Sequence, residues 1–374
     1  MQKGFAMRAL QFLKKHTVLC VATLAALATC FIVPPSAEYL GYFDFKTLTC
    51  LFLTLAVVCA LRNIKFFTIL ARRIVMLTGN LRMLALALIY ITFIGSMLIA
   101  NDMALITFLP LGYFALSVTK KEKHMAYIFI LQNISANLGG MLTPFGNPQN
   151  LYLYTAYEIP TGEFMGIMLP PFLLAVAMLT VCCLVLKPEP LAIEEAFPEK
   201  LNKPRTVLYL VLFALSILLV FRIFPYWIGL IAIPVVLFFV DRDALKAVDY
   251  PLLLTFVMFF IFSGNMARID LVRDILSALL EKSTLLISIL SCQIISNVPS
   301  AILLSQFTEN YRELLLGVNI GGTGTLIASL ASLITFSEYR LLHPGDGKRY
   351  FVLFTLLNLL FLVVLGAASY FIFL

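Results

Sequence analysis

The chain has 374 residues, of which 61% are hydrophobic and 13% are charged. Soluble domains carry about 25% charged residues, so this composition excludes an ordinary soluble protein. The formal net charge of +7 does not indicate nucleic-acid binding, because the basic residues cluster in loops between apolar runs. That distribution is the positive-inside pattern of membrane proteins.

Apolar runs recur along the whole chain, and a helix that crosses the bilayer needs roughly 20 such residues. We therefore expect an all-α polytopic protein that is surrounded by lipid bilayer and has no nucleic-acid partner. Basic residues precede the first run, which places the N-terminus in the cytoplasm. This start resembles a signal peptide, but the many later spans favour an uncleaved first helix.

The first two spans are predicted at about 17–35 and 46–61. The next segment, 62–81, is amphipathic and basic and begins with Arg62. Such a segment is expected to lie in the cytoplasmic interface.

The pair Asn101-Asp102 interrupts a strongly apolar stretch at 83–119, whose two ends are both basic. Polar groups at membrane depth are costly unless they face protein, water or a ligand. The simplest interpretation is a re-entrant hairpin that enters from the cytoplasm and returns. The alternative is two complete spans joined by an outside turn.

A broken span follows at about 125–157, interrupted at Gly139-Gly140 and again at 143–148, and a further span lies at 164–186. These elements end the first membrane half, 1–186. A polar cytoplasmic linker, 187–205, then leads to the second half, 206–374.

The second half repeats the pattern of the first. The first repeat covers about 40–186 and the second about 245–374, and each has an aspartate before its first span, Asp44 and Asp249. The second hairpin is interrupted at Ser296-Asn297. The elements predicted in this half are spans at 206–222, 226–240 and 250–264, an amphipathic segment at 265–283, the hairpin at 284–308, a broken span at 311–336 and a last span at 350–373.

The two repeats enter the membrane from opposite sides if the charge bias sets the topology. Inverted repeats whose discontinuous helices meet near the midplane are typical of secondary transporters. The polar breaks align in the same way. Asn137 corresponds to Asn319, Gly139-Gly140 to Gly321-Gly322, and Thr143 to Thr325.

The residue types in these breaks suit ligand binding. Glycine lets backbone groups approach a ligand closely, and proline stops a helix. Unwound carbonyls suit a cation such as sodium, and half-helix N-termini suit an anion. The alternative is that glycines and small polar residues only pack helices closely.

Asp102 is a carboxylate at membrane depth, which makes it a functional candidate. It could ligate sodium, carry a proton or repel dianions, or it could simply cap the helix that follows. Arg222 ends a span and is expected to reach the interface. The seven cysteines lie in apolar runs and the three histidines are scattered, so no metal site beyond possible sodium is expected.

Four strings resemble the ion transporter superfamily: NDMALITFLPL, NLGGMLTPFGNPQNL, SNVPSAILL and NIGGTGTLIASLASLI. That group contains sodium–dicarboxylate and citrate carriers, arsenite permeases and some sodium/proton antiporters. The resemblance covers about 40–373 and is strongest to short bacterial inner-membrane proteins with a citrate-transporter-like domain. It implies an elevator mechanism, in which scaffold helices form a homodimer and the hairpins and broken helices move.

The hairpin tips depart from the Ser-Asn-Thr pattern of the carboxylate carriers. They read Ala100-Asn101-Asp102 and Ser296-Asn297-Val298, so each asparagine is kept and each threonine is missing. The first tip and the segment 324–331 are closer to the arsenite type, whereas Thr143-Pro144 and 146–148 resemble the carboxylate carriers.

The sequence therefore predicts a secondary active transporter of a small anion in the bacterial inner membrane, coupled to sodium or protons and with no cofactor. No ATPase motif occurs. Arsenite efflux and sodium/proton exchange are the alternatives within transport, a non-transporting membrane protein is another, and an enzyme is not expected. The residues assigned to the substrate are Asn101, Thr143, Pro144, Asn147, Asn297, Ser300 and Thr325, and those assigned to a coupling ion are Asn101, Asp102, Gly139, Gly140, Ser296, Asn297, Gly322 and Thr323.

Overall fold

The computed structural model describes residues 16–191 and 201–373. Within these ranges the regular elements are helices, and eight of them are long and apolar enough to cross a membrane. This confirms the prediction of an all-α polytopic membrane protein. The basic N-terminal segment and residues 192–200 of the predicted linker lie outside the described residues.

The helices of the first half begin and end close to the predicted spans. Asp44 caps the second helix by accepting a hydrogen bond from the backbone N–H of Thr47 at 2.9 Å, as N-terminal caps of this type do. The helices are α1 Thr17–Ile32, α2 Phe45–Asn63, α3 Phe66–Met76, α4 Leu81–Ile99, α5 Asn101–Val118, α6 Met125–Gly139, α7 Pro148–Ala156 and α8 Thr161–Leu184.

The second half has a matching cap at Asp249, whose side chain accepts a hydrogen bond from the N–H of Leu252 at 3.0 Å. Asp44 and Asp249 thus have the same role at the start of α2 and α12. The helices are α9 Lys203–Val220, α10 Tyr226–Val240, α11 Arg242–Lys246, α12 Tyr250–Ala267, α13 Asp270–Lys282, α14 Thr284–Ile295, α15 Asn297–Leu304, α16 Tyr311–Ile320, α17 Leu330–Leu342 and α18 Gly347–Ala368.

Several helix ends differ from the predicted boundaries because local caps set them. Asn202 accepts a hydrogen bond from the N–H of Arg205, so α9 begins inside the predicted linker. Helix α2 continues to Asn63, which places Arg62 on α2 and not on the amphipathic segment. That segment is α3 alone.

The two hairpins have different lengths. Helices α4 and α5 have 19 and 18 residues, and this length fits both a hairpin and two complete spans. Helices α14 and α15 have 12 and 8 residues, which at 1.5 Å per residue reach about 18 and 12 Å. They are too short for a hydrocarbon core of about 30 Å and have the dimensions of a re-entrant hairpin.

The described helices pack in two groups. In one, α1 packs on α12, and α2 packs on α9 and α10. The other contains both hairpins and both broken helices, with α5 and α6 packed on α17 and with α7 packed on α15 and α16. Contacts of α12 with α15, and of α5 with α3, which also packs on α2, join the two groups. Because α7 of the first half packs on α15 and α16 of the second half, the interruptions lie where the two sequence halves meet.

The start of the linker is fixed to the base of the first hairpin. The N–H of Leu81 donates to the carbonyl of Glu189 at 2.9 Å, and the N–H of Leu191 donates to the carbonyl of Gly79 at 3.1 Å. The Glu189 carboxylate also pairs with Lys121 at 2.5 Å. Linker, α4 and the loop after α5 are therefore held together.

Glu189→Gln should loosen this attachment. Hydrogen bonds from Lys121 and Lys123 lower the pKa of Glu189 from 4.5 to about 2. Because the pKa is lowered on folding, the contribution is complete above about pH 4.5 and is lost as the pH falls towards 2. Hydrogen exchange should show less protection at Leu81 in Glu189→Gln at neutral pH.

The matched control is Asp243→Asn, which removes an exposed pair with Lys246 and should leave Leu81 unchanged. Protection at Leu81 that is the same in wild type and Glu189→Gln at neutral pH would show that the carboxylate does not hold the linker in place.

Candidate functional site

The two hairpin tips have the same unusual backbone. Tip 1 is residues 100–102 and tip 2 is residues 296–298. Ala100 has φ 67° and ψ 156°, and Ser296 has φ 76° and ψ 161°. This region is occupied almost only by glycine and costs other residues about 1–3 kcal/mol. Such strain is found mainly at active sites, ligand clamps and switch regions.

The asparagine of each tip makes the same local contact. Asn101 accepts a hydrogen bond from the N–H of Asp102 at 3.0 Å, and Asn297 accepts one from the N–H of Val298 at 2.9 Å. Both asparagines are 4% exposed. Each tip therefore presents a buried amide at the start of a helix, α5 or α15.

The first broken helix is interrupted at break 1, residues 140–147, between α6 and α7. The side-chain nitrogen of Asn150 lies 3.1 Å from the carbonyl oxygen of Gly140, 3.3 Å from that of Met141 and 3.4 Å from that of Thr143. These carbonyls have lost their helical partners, and one buried amide satisfies them.

The second broken helix is interrupted at break 2, residues 321–329, between α16 and α17. Gln293 of α14 donates to the carbonyls of Gly321 at 2.8 Å and Thr323 at 3.1 Å. Its side-chain oxygen accepts a hydrogen bond from the N–H of Thr325 at 2.9 Å. A side-chain amide again replaces the missing helical hydrogen bonds.

A threonine in each break contacts the adjacent hairpin in the same way. The hydroxyl of Thr143 donates to the carbonyl of Met97 at 3.1 Å, and that of Thr325 donates to the carbonyl of Gln293 at 3.3 Å. Each of these carbonyls lies four residues before the tip asparagine. The two threonines aligned by the sequence thus occupy corresponding positions.

Hydrogen bonds and close contacts connect the tips with the breaks. The side-chain nitrogen of Asn101 donates to Asn137 at 3.1 Å, and the backbone N–H of Asn297 donates to the carbonyl of Ala328 at 3.0 Å. Asn319 donates to Asn150 at 2.6 Å, which joins the two sequence halves. The four interruptions therefore form one polar cluster.

Several buried polar atoms in this cluster have no hydrogen-bond partner among the described residues. They are Nδ2 of Asn137, Oδ1 of Asn147, Oδ1 of Asn319 and Oδ1 of Asp102. An unsatisfied buried polar group costs about 1–3 kcal/mol and needs an explanation, such as an ion. Within the described ranges, these atoms therefore keep unused hydrogen-bonding capacity inside the cluster.

The helix directions add to this chemistry. In the described part of the chain, four helices begin at the tips and breaks, namely α5, α7, α15 and α17, and four end there, namely α4, α6, α14 and α16. Helix N-termini favour anions, and C-termini favour cations. The cluster thus offers favourable positions for both.

The predicted site residues have different positions in this cluster. Ser300 is buried, and its hydroxyl lies 2.8 Å from that of Ser291 within the second hairpin. Thr325 is exposed, and Asp102 and Ser296 are half-buried. The other predicted residues are buried, namely Asn101, Thr143, Pro144, Asn147, Asn297, Gly139, Gly140, Gly322 and Thr323.

The two predicted glycines of break 1 have different neighbours. A Cβ on Gly139 would lie 2.2 Å from the carbonyl oxygen of Phe93, so this glycine lets α4 approach α6. A Cβ on Gly140 would lie 2.4 Å from the side-chain oxygen of Asn147. Gly139 thus serves close packing, and Gly140 borders the polar cluster.

Four buried or partly buried amides that make hydrogen bonds within the cluster were not among the predicted site residues. They are Asn137, Asn150, Asn319 and Gln293. Asn150 lies in the GNPQN string, and Asn137 and Asn319 form an aligned pair, so a sequence signal existed for these three. Gln293 precedes Asn297 by one helical turn, which was the available signal for that residue.

Comparisons with known proteins identify the family. The family described as "Citrate transporter" matches residues 6–310, which include both tips and break 1. This confirms the resemblance found in the sequence motifs.

Two curated relatives match most of the chain. An uncharacterized transporter of Methanocaldococcus jannaschii is 32% identical over 334 residues, which cover 87% of this chain and 89% of that protein. Inner membrane protein YbiR of Escherichia coli is 30% identical over 278 residues, which cover 72% of this chain and 73% of that protein.

Gly139→Ala should destabilise the protein, because the new methyl group would overlap the carbonyl of Phe93. Overpacking of this kind costs about 1–3 kcal/mol. Gly166→Ala is the control, since its Cβ would meet nothing within 4 Å. Thermal unfolding in detergent should show a lower Tm for Gly139→Ala only. Equal Tm values would show that α4 and α6 do not need this close approach.

Asn150→Ala should impair both stability and the site, because it removes the hydrogen bonds to the carbonyls of Gly140 and Met141 in break 1 and the link to Asn319. The loss of stability should be about 1–3 kcal/mol. Asn265→Ala is a matched control, because Asn265 is buried and bonds to Thr29, away from the cluster. Solute uptake in proteoliposomes should fall in Asn150→Ala and persist in Asn265→Ala. Normal uptake by folded Asn150→Ala would contradict this role.

Proposed function

Since the chain belongs to the citrate transporter family, we propose that it is a secondary active transporter that carries a small anion across the membrane. The family is one of membrane transporters, which agrees with the expectation that the chain is not an enzyme. The observation that carries the proposal is the cluster of buried, unpaired amide atoms between the tips and the breaks.

The substrate would be a di- or tricarboxylate or an inorganic oxyanion held by neutral donors. Asn101, Asn297 and Thr143 lie on the two tips and break 1, and the N-termini of α5, α7, α15 and α17 begin beside them. Amide and hydroxyl donors at helix N-termini suit oxyanions. Pro144, Asn147, Ser300 and Thr325 complete the proposed substrate set.

The coupling ion would be sodium or a proton. A sodium ion would use the oxygen atoms of Asn147 and Asn319 that have no partner in the described ranges, together with backbone carbonyls of the breaks at Gly140 and Gly322. Oxygen ligands from amides and unwound backbone suit this cation. Gly139, Ser296 and Thr323 border these positions.

Asp102 supports a second candidate, which is sodium/proton exchange or the efflux of a metalloid such as arsenite. Its carboxylate lies at tip 1 and has one buried oxygen without a partner in the part of the chain that is described. A carboxylate at this position can bind a proton or a cation in exchange for the solute.

The mechanism we propose is elevator-like movement of an inverted repeat. Three equivalences between the halves support the repeat: the paired backbone angles at Ala100 and Ser296, the caps at Asp44 and Asp249, and the threonine contacts in the two breaks. The hairpins and broken helices would move against a scaffold built from α1, α2, α9, α10 and α12.

The cellular setting completes the proposal. Charge bias supports a cytoplasmic N-terminus, and the name of the Escherichia coli relative, inner membrane protein YbiR, supports a bacterial inner membrane. A homodimer formed through the scaffold is proposed from the resemblance to elevator transporters. Uptake assays would identify the transported solute and its coupling ion.

Asn101→Ala and Asn297→Ala should each abolish uptake in proteoliposomes, because each variant removes a tip amide that the proposed site requires. The panel should contain citrate, succinate, sulfate and arsenite, with sodium or proton gradients. Asn358→Ala is the control, since Asn358 is buried and donates to the carbonyl of Phe354 in its own helix. Normal uptake by both tip variants would show that the tip asparagines do not bind the substrate.

Asp102→Asn should make uptake insensitive to a proton gradient if Asp102 carries the coupling proton, because an amide cannot be protonated in this range. Sodium-driven uptake would be retained. Asp274→Asn, on the exposed face of α13, should behave as wild type. Proton-driven uptake that survives in Asp102→Asn would assign coupling to another group.

A further inference from the structure

Arg62 lies beside tip 1. It is in the last turn of α2, and its Nη1 donates a hydrogen bond to the sulfur of Met103 at 3.3 Å. Met103 is buried in the first turn of α5, two residues after Asn101. A guanidinium from the proposed scaffold therefore touches the hairpin helix that starts at the proposed site.

This contact leaves Arg62 poorly satisfied. A guanidinium has five N–H donors, and a thioether is a weak acceptor. The described residues give Arg62 no ion pair, and the sulfur is the only acceptor found for its side chain. A charge-assisted hydrogen bond to an oxyanion would be roughly twice as strong as a neutral one.

The carboxylates near Arg62 accept hydrogen bonds from other groups. Asp249 caps α12 through the N–H of Leu252. Asp241 accepts hydrogen bonds from Asn63 and Tyr209. Neither carboxylate pairs with Arg62 within the described ranges, although both lie in the same region as Arg62 around the end of α2.

None of the residues assigned to the proposed site, all of which the structure describes, has a positive side chain. Its predicted residues are amides, hydroxyls, glycines and proline, with Asp102 as the one carboxylate. An anion in this cluster would face Asp102 with no opposite charge unless Arg62 takes part. Arginine suits this task because its planar fork binds carboxylates and other oxyanions in a bidentate way.

We propose that Arg62 is the counter-charge for the transported anion at tip 1 and selects oxyanions over neutral solutes. The substrate would replace the sulfur of Met103 as the acceptor of the guanidinium. This inference rests on the proposed function, because it needs transport of an anion past tip 1. It assigns a substrate contact to a residue that the charge pattern alone places in the cytoplasmic interface.

The structural alternative is that Arg62 only anchors the end of α2 at the interface. Lysine would also serve as an anchor there, and loss of an anchor would change the stability or amount of the protein and not its preference for charge. The readout must therefore be KM for charged and neutral solutes, measured on folded protein.

The experiment uses the full chain in proteoliposomes with citrate, succinate, sulfate and arsenite, the last of which is uncharged at neutral pH. Arg62→Gln should raise KM for the transported anion about 10- to 100-fold, as loss of a charge-assisted hydrogen bond implies. The maximal rate and any arsenite uptake should change less than about twofold. Arg62→Lys should give an intermediate KM, because it keeps the charge and loses the fork.

Two controls separate the contact from general effects. Met103→Leu removes the sulfur and should leave KM within about twofold of wild type, since the substrate and not the thioether is the important acceptor. Lys246→Gln removes an exposed cation paired with Asp243 and should leave KM unchanged.

The outcomes distinguish this inference from the proposed function. If wild type moves none of the four solutes, the proposed anion transport fails, and the inference fails with it. If wild type moves an anion and Arg62→Gln has an unchanged KM, only the role of Arg62 is overturned. If Arg62→Gln does not fold, Arg62→Lys decides, and a wild-type KM in that variant overturns the bidentate contact.

Discussion

The central constraint is that a helix broken inside a membrane frees backbone groups that lipid cannot satisfy. This chain meets the constraint with side-chain amides. Asn150 covers the carbonyls of break 1, and Gln293 covers those of break 2. Asn319 then joins the breaks by donating to Asn150. Without these amides, carbonyls of both breaks would lose hydrogen bonds inside the membrane, and the breaks would be destabilised.

The backbone of both hairpin tips is strained where it joins this hydrogen-bond network. Ala100 and Ser296 hold backbone angles that glycine would adopt more easily. The strain lets Asn101 and Asn297 begin a helix while their side chains reach the same cluster. Amide atoms without a partner among the described residues remain in the same cluster. A bound ion or solute that pairs with these atoms would offset part of the cost of the strain.

Much of this arrangement was readable in the sequence, because polar residues within long apolar runs are costly. That cost revealed both tips, both breaks and the pairing of Thr143 with Thr325. The role of Gln293 at break 2 could not be predicted, because the sequence does not show which backbone groups a single glutamine in an apolar helix will contact. Arg62 was placed in an amphipathic segment, because charge patterns show which residues are near the interface but not where a neighbouring hairpin ends.

The most direct measurement is a cryo-EM map of the protein in lipid nanodiscs with sodium and the anion found in the uptake assays. The account predicts density for an ion or solute among Asn137, Asn147 and Asn319, with both tip asparagines beside it. A map that separates residues 101 and 297, places both among the lipid headgroups, or shows the solute bound elsewhere would contradict it.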